Sequence, residues 1–119
     1  MAKILIVDDA KFMRKTLSAL LTEAQHEIAG EAADGNEAIA KFQETKPDIV
    51  FMDITMPHKD GLAALKEIVS MDPSAKIIMC SAMGQQRIVM QAIELGAKDF
   101  ITKPFEDARV LETVERILA

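Results

Sequence analysis

Five side chains with chemically useful groups stand where strand-like apolar runs of the sequence end. They are three carboxylates, one hydroxyl and one amine: Asp8, Asp9, Asp53, Ser81 and Lys103. In an open parallel α/β sheet, ligands bind just beyond the carboxyl ends of the strands. The sequence therefore predicts that these five groups meet at one edge of a sheet.

Three carboxylates in one place create an electrostatic problem. Two of them about 5 Å apart repel by roughly 3 kcal/mol at an effective dielectric constant near 20, and Lys103 alone does not neutralise three. Either one acid keeps its proton or a divalent cation binds. Hard oxygen ligands on short loops favour Mg²⁺, which would also neutralise the charge of an incoming phosphoryl group.

The expected chemistry is phosphoryl uptake on a carboxylate. Asp53 is central and is the expected nucleophile toward a phosphoryl donor, which would leave an acyl phosphate. Asp8 and Asp9 are expected to hold the metal. Lys103 and the Ser81 hydroxyl would bind phosphoryl oxygens, and both contacts would strengthen once the phosphate is present, pulling their loops inward as a switch.

Taken singly, each of these residues also has a structural interpretation. Asp8 or Asp9 would cap the first helix, where Asp is favoured, and capping is compatible with metal binding. Ser81 alone would be a loop or cap hydroxyl, and Lys103 alone a surface lysine. Asp53 resists such an interpretation because a lone buried carboxylate is costly. The joint placement favours a functional site.

The elements that must position these groups alternate as strand and then helix. Parallel neighbours in a sheet need a crossover helix, so this alternation predicts one α/β domain with a five-stranded parallel sheet and helices on both faces. The dipeptides Asp34-Gly35 and Asp60-Gly61 indicate helix starts, and Gly96 indicates a helix end. The predicted strands cover residues 3–7, 27–32, 49–52, 76–80 and 99–101.

Composition excludes several classes of function. The net charge of −5 disfavours nucleic-acid binding. No apolar run approaches the roughly 20 residues of a membrane span, and no export signal opens the chain, so we expect a cytoplasmic protein without membrane insertion. The single cysteine, Cys80, is expected in the core. We also expect most of the eight Met residues in the core, and His26 and His58 at the surface.

Four stretches of the sequence resemble the receiver domain of two-component response regulators. They keep the order and spacing of that family and span nearly the whole chain: residues 4–9, residues 52–57 with Asp60-Gly61, residues 80–82 and residues 96–105. The segments around Asp9, Asp53 and Ser81 are similar in particular to the chemotaxis regulators of Gram-positive and thermophilic bacteria. The resemblance implies a flavodoxin-like (βα)5 domain over residues 1–119, with strand order 2-1-3-4-5.

The resemblance also implies a role for each site residue. Asp53 would be the phosphoacceptor, with a phosphohistidine of a histidine kinase as donor. Asp9, Asp53 and the backbone carbonyl of Thr55 would bind Mg²⁺, with Asp8 acting through water. Lys103 would be the switch lysine, and the Lys103–Pro104 peptide bond would be cis.

A switch and an output face follow from the same resemblance. Ser81 would be the switch hydroxyl, and Phe100 would occupy the aromatic switch position, where it lacks the hydroxyl of a tyrosine. The output face would lie on the fourth helix, fifth strand and fifth helix and include Val89, Phe100 and Thr102. Judged alone, Phe100 would simply be an apolar residue of an edge strand.

The expected function is that of a single-domain response regulator. The chain ends one residue after the fifth helical pattern, so we expect no output domain and signalling by phosphorylation-dependent protein binding. The expected partners are the flagellar motor switch and a phosphatase, and the expected state is a monomer. A phosphorelay intermediate or a receiver of another pathway is the alternative. A haloacid-dehalogenase-like phosphatase would need an Asp where Thr55 stands, and a flavodoxin-like nucleotide binder would need a phosphate cradle in place of Asp8 and Asp9.

Overall fold

The computed structural model describes residues 1–119 and contains one five-stranded parallel sheet in the order β2-β1-β3-β4-β5. The strands are β1 (Lys3–Val7), β2 (Glu27–Ala32), β3 (Ile49–Asp53), β4 (Ile77–Ser81) and β5 (Asp99–Thr102). The helices are α1 (Lys11–Glu23), α2 (Gly35–Thr45), α3 (Gly61–Met71), α4 (Gln86–Leu95) and α5 (Asp107–Leu118). The predicted doubly wound α/β fold and its strand order are confirmed.

Alternate residues of the central strands pack on opposite faces of the sheet. Ile6 and Phe51 belong to a cluster with α1 and α5, whereas Val7 and Met52 belong to a cluster with α2, α3 and α4. Strands covered on both faces have no polar side, which is why their sequences are continuously apolar. The first polar residues therefore come where these strands leave the layer of helices.

Helix starts agree with the sequence signals in two cases and differ in a third. Asp34 and Asp60 cap α2 and α3, each accepting a backbone N–H from the first turn. The cap position of α1 is Ala10, and no side chain caps that helix. The expectation that Asp8 or Asp9 caps α1 is wrong, because Asp8 lies two residues before the cap position and accepts the N–H of Ala10 at 2.9 Å.

Two expectations about the surface need correction. Only three methionines are buried, Met52, Met56 and Met79; Met13 is half-buried on α1, and the other four are exposed at the chain start, on a loop or on helices. His58 is exposed as expected. His26 is half-buried, and its Nδ1 accepts the N–H of Ala2 at 3.1 Å. None of the five helices combines the length and apolar character that crossing a bilayer requires.

Candidate functional site

The ends of β1 and β3 bring three carboxylates together. One oxygen from each of Asp8, Asp9 and Asp53 lies within 4.8 Å of the others. Asp8 and Asp53 are buried, with 2% and 7% of their surface exposed, whereas Asp9 is exposed. The two strands are neighbours in the sheet, so their carboxyl ends open at one point. This is the convergence expected from the strand ends.

Lys103, which follows β5, reaches into the same place. Its Nζ lies 2.9 Å from Asp8 Oδ2 and 3.2 Å from Asp53 Oδ1. Burial lowers the pKa of Lys103, but the hydrogen bond to Asp8 and the charges of Asp53 and Asp8 outweigh it, so the pKa is raised. The ammonium group therefore stays charged and links two buried carboxylates from different strands.

The pKa of Asp53 shows how much negative charge the site carries. Burial and the charge of Asp8 raise the pKa of Asp53 from 3.8 to about 6, although Lys103 lowers it in part. Asp53 is thus mostly ionised at neutral pH at an electrostatic cost. Three carboxylates and one ammonium leave two uncompensated negative charges. This residual charge and the all-oxygen donors fit a divalent cation such as Mg²⁺.

Ser81 ends the strand next to β3, and Thr55 lies two residues after Asp53. Ser81 is the buried last residue of β4, and its carbonyl accepts the backbone N–H of Lys103 at 2.7 Å. Thr55 is exposed, and its Oγ1 accepts a hydrogen bond from Gln85 Nε2 at 3.1 Å. The two predicted residues therefore both adjoin the end of β3 at which Asp53 lies, one on β4 and one after β3.

Two glycines fix the β3–α3 loop, residues 54–60. The N–H of Gly61 donates to Ile54 O at 2.8 Å, and a Cβ atom at position 61 would lie 1.9 Å from Asp53 O. The N–H of Gly35 donates to Lys59 O at 2.7 Å, and a Cβ there would lie 2.6 Å from that oxygen. Only glycine allows helices α2 and α3 to approach the loop this closely.

Sequence reasoning missed two side chains that support the site. Arg14 Nη1 donates to the backbone oxygen of Asp8 at 2.7 Å, and its Nε pairs with Glu31 Oε1 at 3.0 Å. Arg14 thus ties the end of β1 to β2. Gln85 bonds to both loops that flank Asp53. The sequence shows a charged residue, Arg14, near the start of α1, but it does not show that the partner of Arg14 is Glu31 on β2.

The expected output face contains a groove between α4 and β5. Phe100 and Thr102 are exposed on the edge strand β5. Val89 differs from the expectation, since it is 7% exposed and belongs to the core beneath α4. It lines the groove of about 400 Å³ together with the exposed Met83 and Met90. The Lys103–Pro104 peptide bond at the end of β5 is cis, as the family resemblance implied.

Comparisons with known proteins agree with this geometry. The response regulator receiver domain family matches residues 4–115. The chain is 58% identical over 118 residues to Protein CcdB of Bacillus subtilis, covering 99% of this chain and 98% of CcdB. It is 57% identical over 115 residues to Chemotaxis protein CheY of Thermotoga maritima, covering 97% of this chain and 96% of that protein.

A solved structure agrees as closely. The CheX-CheY-BeF3-Mg+2 complex from Borrelia burgdorferi contains a chain that matches with a TM-score of 0.94 and 40% identity, covering 98% of this chain and 89% of that one. The fold, the aspartate cluster and these matches show that the chain belongs to the response regulator receiver domain family. Within that family it is homologous to the CheY chemotaxis response regulators, which are signalling proteins.

Proposed function

We propose that residues 1–119 form one receiver domain that takes a phosphoryl group onto Asp53 from the phosphohistidine of a histidine kinase. The observation that carries this proposal is the Asp53 carboxylate at the end of β3, buried, flanked by two further acids and 3.2 Å from Lys103 Nζ. Its raised pKa leaves it ionised at neutral pH and more basic than an ordinary carboxylate. Such a group is a suitable nucleophile toward phosphorus.

The transfer needs positioning and charge stabilisation more than covalent chemistry. An oxygen of Asp53 forms the new bond to phosphorus while the phosphorus–nitrogen bond of the donor breaks. The imidazole nitrogen keeps the electron pair of that bond and takes up a proton. Lys103 Nζ binds one oxygen of the transferred group, and the Ser81 hydroxyl donates to another. Backbone contacts of the β3–α3 loop keep Asp53 in place.

Asp8, Asp9, Asp53 and the backbone carbonyl of Thr55 would hold Mg²⁺, with Asp8 acting through water. The CheX-CheY-BeF3-Mg+2 complex contains a chain 40% identical to this one, and the three aspartates here lie close together. When bound, the ion supplies charge neutralisation for the phosphoryl oxygens. The two uncompensated negative charges of the site support this assignment. Lys103 then becomes available for the phosphoryl group.

Phosphorylation would be read out by a protein partner. Ser81 and Phe100 act as the switch pair, and Phe100 and Thr102 with the groove above Val89 form the contact face. We assign the flagellar motor switch and a phosphatase as partners, because the chain is 57% identical to a chemotaxis protein. The matching CheY chain of the Borrelia burgdorferi structure is likewise bound to a second protein, CheX. The protein acts as a cytoplasmic monomer and loses its phosphoryl group slowly by itself.

A phosphorelay role or another signalling pathway is the second candidate. The chain is about as similar to Protein CcdB as to the chemotaxis relatives, so similarity alone does not select chemotaxis. A pull-down of the motor switch protein by phosphorylated and unphosphorylated protein separates the two. Retention only in the phosphorylated state supports chemotaxis, and indifference to phosphorylation favours the relay.

The site assignment is tested by mass spectrometry after incubation with acetyl phosphate and Mg²⁺. The wild-type protein gains about 80 Da, the mass of one phosphoryl group. Asp53→Asn abolishes the adduct, because an amide does not form an acyl phosphate. Asp34→Asn, whose side chain lies outside the site and still caps α2, keeps it. Full labelling of Asp53→Asn would refute the assignment.

A further inference from the structure

One backbone donor at the site has no strand partner. The N–H groups of alternate residues in β4 face β3, and the two strands pair up to the rung in which Ile54 N–H donates to Cys80 O at 3.2 Å. The next donor facing β3 is the N–H of Ala82. Its partner in a continued ladder would be Ile54 O, but that oxygen accepts the N–H of Gly61 at 2.8 Å. The Ala82 N–H is left just beyond Asp53.

The side chain of Gln85 takes up this donor. Gln85 Oε1 accepts the Ala82 N–H at 2.7 Å, while Gln85 Nε2 donates to Thr55 Oγ1 at 3.1 Å. Gln85 occupies the cap position of α4, yet its side chain caps no helix N–H. The carboxamide instead reaches back and joins the β4–α4 loop, residues 82–85, to the β3–α3 loop on the other side of Asp53.

A phosphoryl group on Asp53 would compete for the same donor. Its oxygens are charged, and a charged oxygen binds an N–H more strongly than a neutral amide oxygen does. Lys103 and Ser81 supply side-chain donors. The Ala82 N–H, which points toward the end of β3, is a backbone donor directly after β4. A phosphoryl oxygen and Gln85 Oε1 therefore exclude each other at this position.

We propose that Gln85 is a positioning residue that occupies the Ala82 N–H in the unphosphorylated protein and gives it up to a phosphoryl oxygen. This rests on the proposed phosphoacceptor role of Asp53. Displacing the carboxamide also breaks its bond to Thr55, so it unties the β4–α4 loop from the opposite loop. Gln85 thereby opposes binding of the phosphoryl group and couples that binding to release of the segment that carries Met83.

Beryllofluoride, which binds a carboxylate as a phosphoryl analogue, tests the competition at saturating Mg²⁺. Gln85→Ala removes the competing acceptor, whose net hydrogen bond is worth a factor of about five in affinity, so beryllofluoride binds about five-fold more tightly. Gln85→Glu keeps an acceptor and adds a negative charge, so binding weakens. The matched control is Gln86→Ala, because Gln86 is exposed and contributes no side-chain hydrogen bond to either loop; its affinity is unchanged.

Two further readouts separate this role from a purely structural one. The affinity for Mg²⁺ alone stays within about two-fold in Gln85→Ala, because no side chain of the aspartate cluster is altered. The Ala82 amide proton exchanges faster with solvent in that variant without any beryllofluoride present. Unchanged or weaker beryllofluoride binding with normal Mg²⁺ affinity overturns the proposal, as does an unchanged Ala82 exchange rate.

A double-mutant cycle sharpens the test. Thr55→Val removes the acceptor that anchors the Gln85 amide and keeps the backbone carbonyl, so beryllofluoride affinity rises, but less than in Gln85→Ala. In the Gln85→Ala background the same change adds nothing, because the anchored group is already absent. Additive effects overturn the proposal. If the wild-type protein binds no beryllofluoride, the assignment of Asp53 as phosphoacceptor fails. If the wild type binds it in the presence of Mg²⁺, that assignment stands and the variants test the role of Gln85 alone.

Discussion

The two loops that flank Asp53 are held by contacts of different kinds. The β3–α3 loop is fixed by backbone hydrogen bonds from Gly35 and Gly61, at distances that leave no room for a Cβ atom. In the β4–α4 loop, Ala82, Met83 and Gly84 are exposed. The hydrogen bond that joins this loop to its neighbour comes from a side chain, that of Gln85. The β3–α3 loop is therefore anchored by backbone contacts, whereas the β4–α4 loop is held to it by one side-chain hydrogen bond.

This difference indicates which of the two loops rearranges on phosphorylation. A single side-chain hydrogen bond contributes about 1 kcal/mol, and a charged phosphoryl oxygen readily replaces it. Shifting the anchored loop would instead require the helix starts at Gly35 and Gly61 to separate from it. We therefore expect phosphorylation to leave Asp53 and its loop in place and to rearrange the β4–α4 loop, which adjoins the groove beside Phe100.

The largest effect on stability is expected from a methyl group added at Gly61, against the anchored β3–α3 loop. Gly61→Ala places its Cβ 1.9 Å from the backbone oxygen of Asp53, a contact that no rotamer change relieves. We expect the free energy of unfolding to fall by about 4 kcal/mol or more, in the range reserved for severe backbone or packing defects. Urea denaturation measures the loss, and Mg²⁺ titration at low urea measures the accompanying loss of the metal site.

Gly30→Ala is the matched control for this variant. A Cβ at Gly30 makes ordinary contacts, the nearest of them 3.6 Å from Leu5 Cδ1. We expect it to change the free energy of unfolding by less than about 1 kcal/mol and to leave Mg²⁺ affinity unchanged. A tolerated Gly61→Ala would mean that α3 slides away from Asp53 at little cost, and the anchored loop would then be no more rigid than its neighbour.

The fold could be predicted from the sequence because its signals are local. Strands buried on both faces are continuously apolar, and Asp34 and Asp60 mark two helix starts by a side chain that caps the turn following it. The convergence of the acids at the sheet edge was predictable too, since parallel strands place their carboxyl ends together. Strand order came from the family resemblance, because periodicity does not say which strands are neighbours.

The supporting contacts could not be predicted because they join residues that are remote in the chain. The bond between Gln85 and Thr55 depends on two loops leaving neighbouring strands at matching heights, and on the rotamer of one glutamine. The clamp of Arg14 on Asp8 and Glu31 depends on β2 lying beside β1. Hydrophobic patterns record which residues are apolar, and they carry no information on such polar contacts between elements.

Removing the charge of Asp53 should produce the next largest effect. The folded protein binds the Asp53 proton more tightly than the unfolded chain, since the pKa is about 6 against 3.8. The stability due to the protonated group is therefore fully present below pH 4 and is lost as the pH rises through 6. Without Mg²⁺, we expect Asp53→Asn to exceed the wild type in unfolding free energy by up to about 3 kcal/mol at neutral pH.

Urea denaturation in the presence of a chelator checks this expectation across the pH range. The advantage of Asp53→Asn should shrink on acidification and vanish well below pH 3.8, where the wild-type carboxyl is protonated in both states. Saturating Mg²⁺ should cancel it at neutral pH by stabilising the wild type alone. Equal stabilities of the wild type and Asp53→Asn at every pH would show that the Asp53 carboxylate is exposed to solvent. That result would contradict a fixed, buried position at the end of β3.

The smallest effect on stability is expected in the β4–α4 loop. Gly84 has a φ of +89°, and no atom lies within 4 Å of a Cβ built there, so Gly84→Ala meets conformational strain without a clash. Such strain costs about 1 kcal/mol, and urea denaturation should show a loss of that size. Mg²⁺ affinity should not change, because the aspartates are anchored elsewhere. A loss as large as that of Gly61→Ala would mean that the β4–α4 loop is packed as firmly as its neighbour. Neither loop beside Asp53 would then be weakly held, so the segment that rearranges on phosphorylation would have to lie outside this site.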